Sequence, residues 1–157
     1  MTRRWVAATA AVVLLAAGLA TLALTRPGGP PAVVVAAGDG YEVLRVPLPA
    51  DGRFELRYVH SVYRAEAAER FTAEPGGGFR LVAIASPSEA VLDYYDVQGA
   101  RTAEGDRLRL DLAAPQRFER LPLVATTTGR RTLVAGGAQV PLWTAAGPAA
   151  LVLTIER

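Results

Sequence analysis

In Arg53-Phe54-Glu55-Leu56-Arg57-Tyr58-Val59-His60, the residues Phe54, Leu56, Tyr58 and His60 occupy every second position, and Arg53, Glu55 and Arg57 fall between them. Successive side chains of a strand point to opposite faces, so one face of this stretch is apolar or aromatic and the other is charged. A helix would scatter both sets around its circumference. The stretch therefore predicts a half-buried strand lying over a core.

The same reading extends in both directions. Upstream, Val33–Ala36 and Tyr41–Val46 flank Gly38-Asp39-Gly40, a hairpin signal. Downstream, Phe79–Ser86 is apolar on both faces, as a central strand is. Arg107–Leu112 alternates arginine or aspartate with leucine and covers the core on one side. Val91–Val97, Leu121–Thr127, Arg131–Val134, Val140–Trp143 and Ala149–Ile155 complete the expected strands, with Trp143 in the core. Arg64–Arg70 is rich in helix-favouring alanine and glutamate. The chain must nevertheless return from His60 to pair, so Glu69-Arg70-Phe71-Thr72 is expected at a strand end. Glu74-Pro75-Gly76-Gly77-Gly78 lacks the lysine and hydroxyl residue of a phosphate loop and reads as a turn, as does Gly136-Gly137. The predicted fold is all-β, a small antiparallel sandwich or partly open barrel without internal repeats.

Ahead of this domain, Trp5 to Thr25 contains no charged side chain. A run of about 20 apolar residues suffices to cross the roughly 30 Å hydrocarbon core as a helix. Arg3 and Arg4 precede it, and positive charge beside a spanning helix tends to stay cytoplasmic; Arg26 opposes this weakly, and Trp5 suits the interface. A cleaved signal peptide is the competing reading, since small residues crowd the segment, but its apolar core exceeds the usual 7–15 or so. The expected organisation is a membrane anchor or signal segment over 1–26, a Pro/Gly linker over 27–31 and an extracytoplasmic β-domain over 32–157. The domain lies outside the cytoplasmic membrane in either case, secreted if the leader is removed.

The chain has no cysteine, so an exported domain of this size relies on its own core. Arg3, Arg4 and Arg26 are three of the 17 basic residues and all 15 acids follow them, which leaves the stretch from Pro27 one charge negative. The high overall pI therefore gives no support to nucleic-acid binding. Every basic residue is arginine.

His60 is the only histidine. Alone, and without cysteine, it does not make a histidine-rich metal site. Glu66 and Glu69 are the acids that would complete a carboxylate one, so a small-ligand or metal-binding module is the alternative to a partner-binding domain, with a hydrolase behind it, and no cofactor is expected. Ser61 adjoins it in an extended segment, so the two side chains point apart and do not form a catalytic pair. Ser86 and Ser88 lack the glycine pattern of a nucleophile elbow. A packing role for His60, hydrogen-bonded to Glu69, is the alternative, and such a bond would make the site pH-sensitive. In Asp93-Tyr94-Tyr95-Asp96, alternation sets Asp93 with Tyr95 and Tyr94 with Asp96, a pattern suited to a polar binding rim. His60, Ser61, Glu69, Tyr94 and Tyr95 form the candidate ligand or partner patch, with no catalytic residue among them.

Tyr58-Val59-His60-Ser61-Val62, with Glu69 nine residues after the histidine and Phe71 beyond, resembles the hallmark of the domain of unknown function 1850 family. The resemblance runs from about Phe54 to the C-terminus, where Arg131-Thr132-Leu133 and Leu151–Ile155 fit the final hairpin strands. The chain departs from the pattern after the central strand. Many members carry a Gly-Ala-Gly segment where this one has Ser86-Pro87-Ser88-Glu89-Ala90. The resemblance implies a small exported or anchored protein without established activity. It also implies an accessory role beside the membrane subunit or solute-binding protein of a TRAP-type (TAXI-class) solute transporter.

Overall fold

A computed structural model describes residues 29–157; the expected anchor or signal segment over 1–26 lies outside the described residues. The chain runs through β1 (Ala32–Ala37), β2 (Glu42–Pro47), β3 (Arg53–Val59), β4 (Glu66–Ala73), β5 (Phe79–Ser86), α1 (Glu89–Tyr94), β6 (Gly99–Glu104), β7 (Arg107–Phe118), β8 (Leu121–Ala125), β9 (Thr132–Ala135), β10 (Ala138–Pro141), α2 (Leu142–Ala145) and β11 (Ala149–Glu156). No helix among the described residues is long and apolar enough to cross a membrane.

The fold is all-β. One antiparallel sheet has the order β2-β1-β11-β8 and the other β10-β9-β3-β4-β5-β7-β6. Their inner faces form a single core, in which Val33, Val35, Leu123, Leu151 and Leu153 meet Phe54, Leu56, Phe71, Phe79, Ile84, Leu110 and Leu133. Two sheets packed face to face over one apolar layer make a sandwich. Phe54, Phe71, Phe79 and Phe118 stack and edge against one another at 5.0–6.3 Å within it.

The alternation in β3 is realised as expected. Phe54 and Leu56 are buried while Arg53 and Arg57 are exposed. β5 is buried along most of its length, in the interior of the larger sheet. The Gly38, Glu74–Gly78 and Gly136-Gly137 segments all turn between paired strands, and Gly40, Gly77, Gly78, Gly136 and Gly137 carry the positive φ such turns need.

Three expectations are corrected. Val91–Val97 is not a strand: residues 89–94 form α1, because Ser86-Pro87-Ser88 ends β5 and Ser88 takes the extended N-cap geometry. Val140–Trp143 is divided, with β10 ending at Pro141 and α2 beginning at Leu142. Leu142 is buried and Trp143 only partly so, packed against the margin of the core. Glu69 stands inside β4 rather than at its end. Gly99–Glu104, fully exposed and without an apolar run, pairs as edge strand β6, which no periodicity announced.

Register separates the two ends of the sandwich. Ala32 lies beside Glu156 and Pro47. At the opposite end of the same sheet, Ala125 lies beside Ala149. The C-terminal end of β3, the start of β4 and the start of β9 come together at this second end.

Candidate functional site

β3 carries Tyr58 and His60 out of the core on its inner face. Antiparallel register sets Glu69 opposite Leu56, so its carboxylate also rises on the inner face. Past His60 the chain reverses at once: the Arg64 amide donates to the His60 carbonyl and the His60 amide to the Ala65 carbonyl, both at 2.8 Å. Arg64 turns the corner at φ 52°. α1 arrives from β5 and is pinned by Ser86, whose hydroxyl donates to the Glu66 carbonyl at 2.7 Å and accepts from the Ser88 amide at 3.1 Å. The β8–β9 loop closes the third side. The Val59 amide donates to the Gly129 carbonyl there, which brings Arg131 alongside.

These elements bound a cleft of about 450 Å³ lined by Tyr58, His60, Glu69, Tyr94, Tyr95 and Arg131 among others. At its base the Tyr95 hydroxyl donates to Glu69 Oε1 at 2.7 Å. That phenol has given its one proton, so the contact between Tyr58 and Tyr95 has Tyr58 as donor. The order is Tyr58 to Tyr95 to Glu69, and each bond polarises the next. A longer contact, 3.4 Å, joins Tyr58 directly to Glu69. Burial, and then the negative charge of Glu69, push both phenols well above the ordinary tyrosine value; the Arg131 charge offsets this in part for Tyr58.

His60 is 6% exposed and sits in an aromatic cluster. Tyr94 meets its ring edge-on at 4.7 Å and Tyr63 lies at 5.3 Å. Nδ1 accepts from the Tyr63 amide at 3.4 Å. The expected His60–Glu69 hydrogen bond is not formed; Glu69 takes its short bond from Tyr95 instead.

Of the five residues expected to form a patch, His60, Ser61, Glu69, Tyr94 and Tyr95 all border this cleft. The strand alternation proposed for Asp93–Asp96 is overturned. Successive residues at the end of α1 differ by about 100°, so Tyr95 turns in to Glu69, while Asp93 pairs with Arg101. Ser61 is exposed and makes no bond to His60. Ser86 is fully buried with its hydroxyl engaged. No serine–histidine–acid relay therefore exists among the described residues, nor does a group of three acidic or histidine ligands.

Two site residues escaped sequence reasoning. Tyr58 shares the His60 face two positions away, so its signal was present. Arg131 reaches the cleft only through the β8–β9 loop, which no local pattern reveals.

A larger concavity, about 660 Å³, occupies the outer face of the seven-stranded sheet. Its charges are mutually satisfied: Glu55 with Arg57 and Arg70, Arg70 with Glu104, Arg109 with Asp111. Those guanidinium bonds outweigh burial and hold the Glu55 carboxyl below its usual range. The smaller cleft is the better candidate, since it combines exposed aromatic rings with a cation that has no ion pair among the described residues. No family model, curated protein or solved structure matches this chain.

Proposed function

We propose that this protein is a non-catalytic accessory domain, anchored to the cytoplasmic membrane with its N-terminus inside and its β-domain outside. Through the rim of the His60 cleft it contacts a subunit of a solute transporter. The observation that carries the reading is the rim itself. Tyr63 and Tyr94 are 44% and 60% exposed and stand together around a buried histidine, and Val62, next to Tyr63 in the chain, is 60% exposed. Exposed aromatic residues grouped over a packed base are what protein contacts use as energetic centres. Below the rim, Glu69 is held by the Tyr95 phenol, and neither a serine nor a carboxylate is hydrogen-bonded to His60 among the described residues.

The transporter association rests on the resemblance carried by Tyr58–Val62 and Glu69. It names the membrane subunit or solute-binding protein of a TRAP/TAXI-type system as the partner. Tethering raises the effective concentration of the domain at the membrane, so a weak contact suffices. The test is co-purification of the full chain from detergent extracts. A Tyr63→Ser, Tyr94→Ser variant alters only exposed rings and should lose the transporter subunits. Retention of every partner by that variant removes the rim as the contact.

A further inference from the structure

Beneath the rim lies a positive charge without a counter-ion. Nine of the fourteen arginines in the described residues carry an ion pair. Of the five that do not, Arg64, Arg130 and Arg131 all stand around the His60 turn. Arg131 is partly buried, its guanidinium carbon 4.7 Å from the centre of the Tyr58 ring. Stacking on an aromatic face fixes the plane of the guanidinium and leaves its N–H edge free to meet a planar acceptor. Arg131 also borders an adjoining groove of about 440 Å³, whose walls include Pro122, Val124 and Val152.

A second donor faces the same space. His60 Nδ1 accepts the Tyr63 amide proton, which assigns the ring proton to Nε2. Nε2 has no partner among the described residues, and His60 lines the cleft. The one carboxylate lining the cleft, Glu69, accepts from Tyr95 through Oε1, and the Tyr95 hydroxyl accepts in turn from Tyr58. The Arg131 fork and the His60 Nε2–H are thus two donors left open in the cleft, beside the apolar surface of Val124 and Tyr94.

We infer that the cleft binds a small organic carboxylate with an apolar body. The carboxylate engages the Arg131 fork and the His60 Nε2–H, and the body lies against Val124 and the groove. This rests on the binding reading above, but the groups that take the carboxylate, Arg131 and His60, are not the exposed rings of the partner rim, so each can fail alone.

The experiment is calorimetric titration of the full chain in detergent with benzoate, with neutral benzamide and cationic benzylamine as comparisons. Benzoate should bind saturably and at least about tenfold more tightly than either analogue, as a charge-assisted bidentate contact requires. Arg131→Gln should weaken benzoate by about tenfold or more. Arg120→Gln, which removes another unpaired arginine at the opposite end of β8, should leave it unchanged. Glu69→Gln keeps an acceptor for Tyr95 but removes the opposing charge, and should tighten it. Four results each overturn the inference: no saturable benzoate binding up to about 20 mM, equal affinity for benzamide, preference for benzylamine, or unchanged affinity in Arg131→Gln. If benzoate binds as expected while the Tyr63→Ser, Tyr94→Ser variant keeps its partners, the carboxylate site stands and the rim reading falls.

Discussion

The decisive residue-level arrangement is a carboxylate on the inner face of a sheet, made tolerable by two phenols. Glu69 lies between Leu56 and Ile84 in register, where burial without hydrogen bonds would be costly. Tyr95 supplies the short bond, so Tyr95→Phe should lower stability by about 2 kcal/mol in urea denaturation, the range for a bond to a charged group. The same chain of phenols sets the alkaline limit. In the unfolded state both tyrosines ionise near pH 10, whereas in the folded state burial and the Glu69 charge raise both values further. Their contribution is fully present below pH ~10 and is lost as the pH climbs above it, because the unfolded chain releases protons that the folded one keeps. Alkaline denaturation should show a steep loss of stability above about pH 10, and a Tyr58→Phe, Tyr95→Phe variant should flatten that limb. An unchanged slope in the variant would assign the alkaline transition to other groups. At this scale the sequence was informative where periodicity reached. Strand alternation puts Tyr58 and His60 on one face, and the family resemblance pairs His60 with Glu69, but the phenol that holds Glu69 comes from a helix that alternation misread.

At the level of elements, the site depends on where α1 is pinned. The helix spans only residues 89–94 and Ser88 makes no side-chain cap, so its own hydrogen bonds do not hold it in place. Ser86 does so instead, by bridging β4 and the Ser88 amide from a fully buried position. Ser86→Ala should leave the Glu66 carbonyl and Ser88 amide short of a partner and cost about 1–2 kcal/mol. The larger effect should be local. Hydrogen exchange over residues 88–96 should quicken more than in β3 or β5, with a parallel loss of benzoate affinity as Tyr94 and Tyr95 drift. Uniform acceleration across the domain would show that Ser86 is merely a core residue. α1 was hidden in the sequence because Val91, Leu92 and Val97 mimic a strand's apolar run. The serine–proline–serine before Glu89 was the available signal for a helix start. β6 was illegible for a different reason: an edge strand exposed on both faces has no apolar period, and its place comes only from pairing with β7. Edges elsewhere are marked by proline. Pro47, Pro122 and Pro141 fall in β2, β8 and β10, the other three edge strands, where a missing N–H blunts pairing with foreign chains.

For the molecule as a whole, topology decides which way the site faces. β1 and β11, the first and last strands, pair at the centre of the smaller sheet, so the chain enters beside Glu156. The cleft is built at the other end, next to Ala125 and Ala149. The length of β11 separates the two, roughly 24 Å at the usual rise per residue. With Trp5–Thr25 in the bilayer and a short Pro/Gly linker, as proposed, the cleft is turned away from the membrane and the β2–β3 connection towards it. The absence of cysteine permits a direct test, since single cysteines introduced at Asp51 and Val62, both exposed, are unique labels. On intact spheroplasts an impermeant maleimide should modify both positions. Labelling of neither until lysis would place the domain in the cytoplasm. In reconstituted vesicles a fluorophore at position 51 should be quenched by lipid-attached quenchers more strongly than one at position 62. The reverse order would lay the aromatic rim on the bilayer, and Tyr63 and Tyr94 would then be membrane contacts instead of partner contacts. The expected order leaves the rim facing the aqueous compartment, where a solute-binding protein or the outer loops of a membrane subunit can reach it.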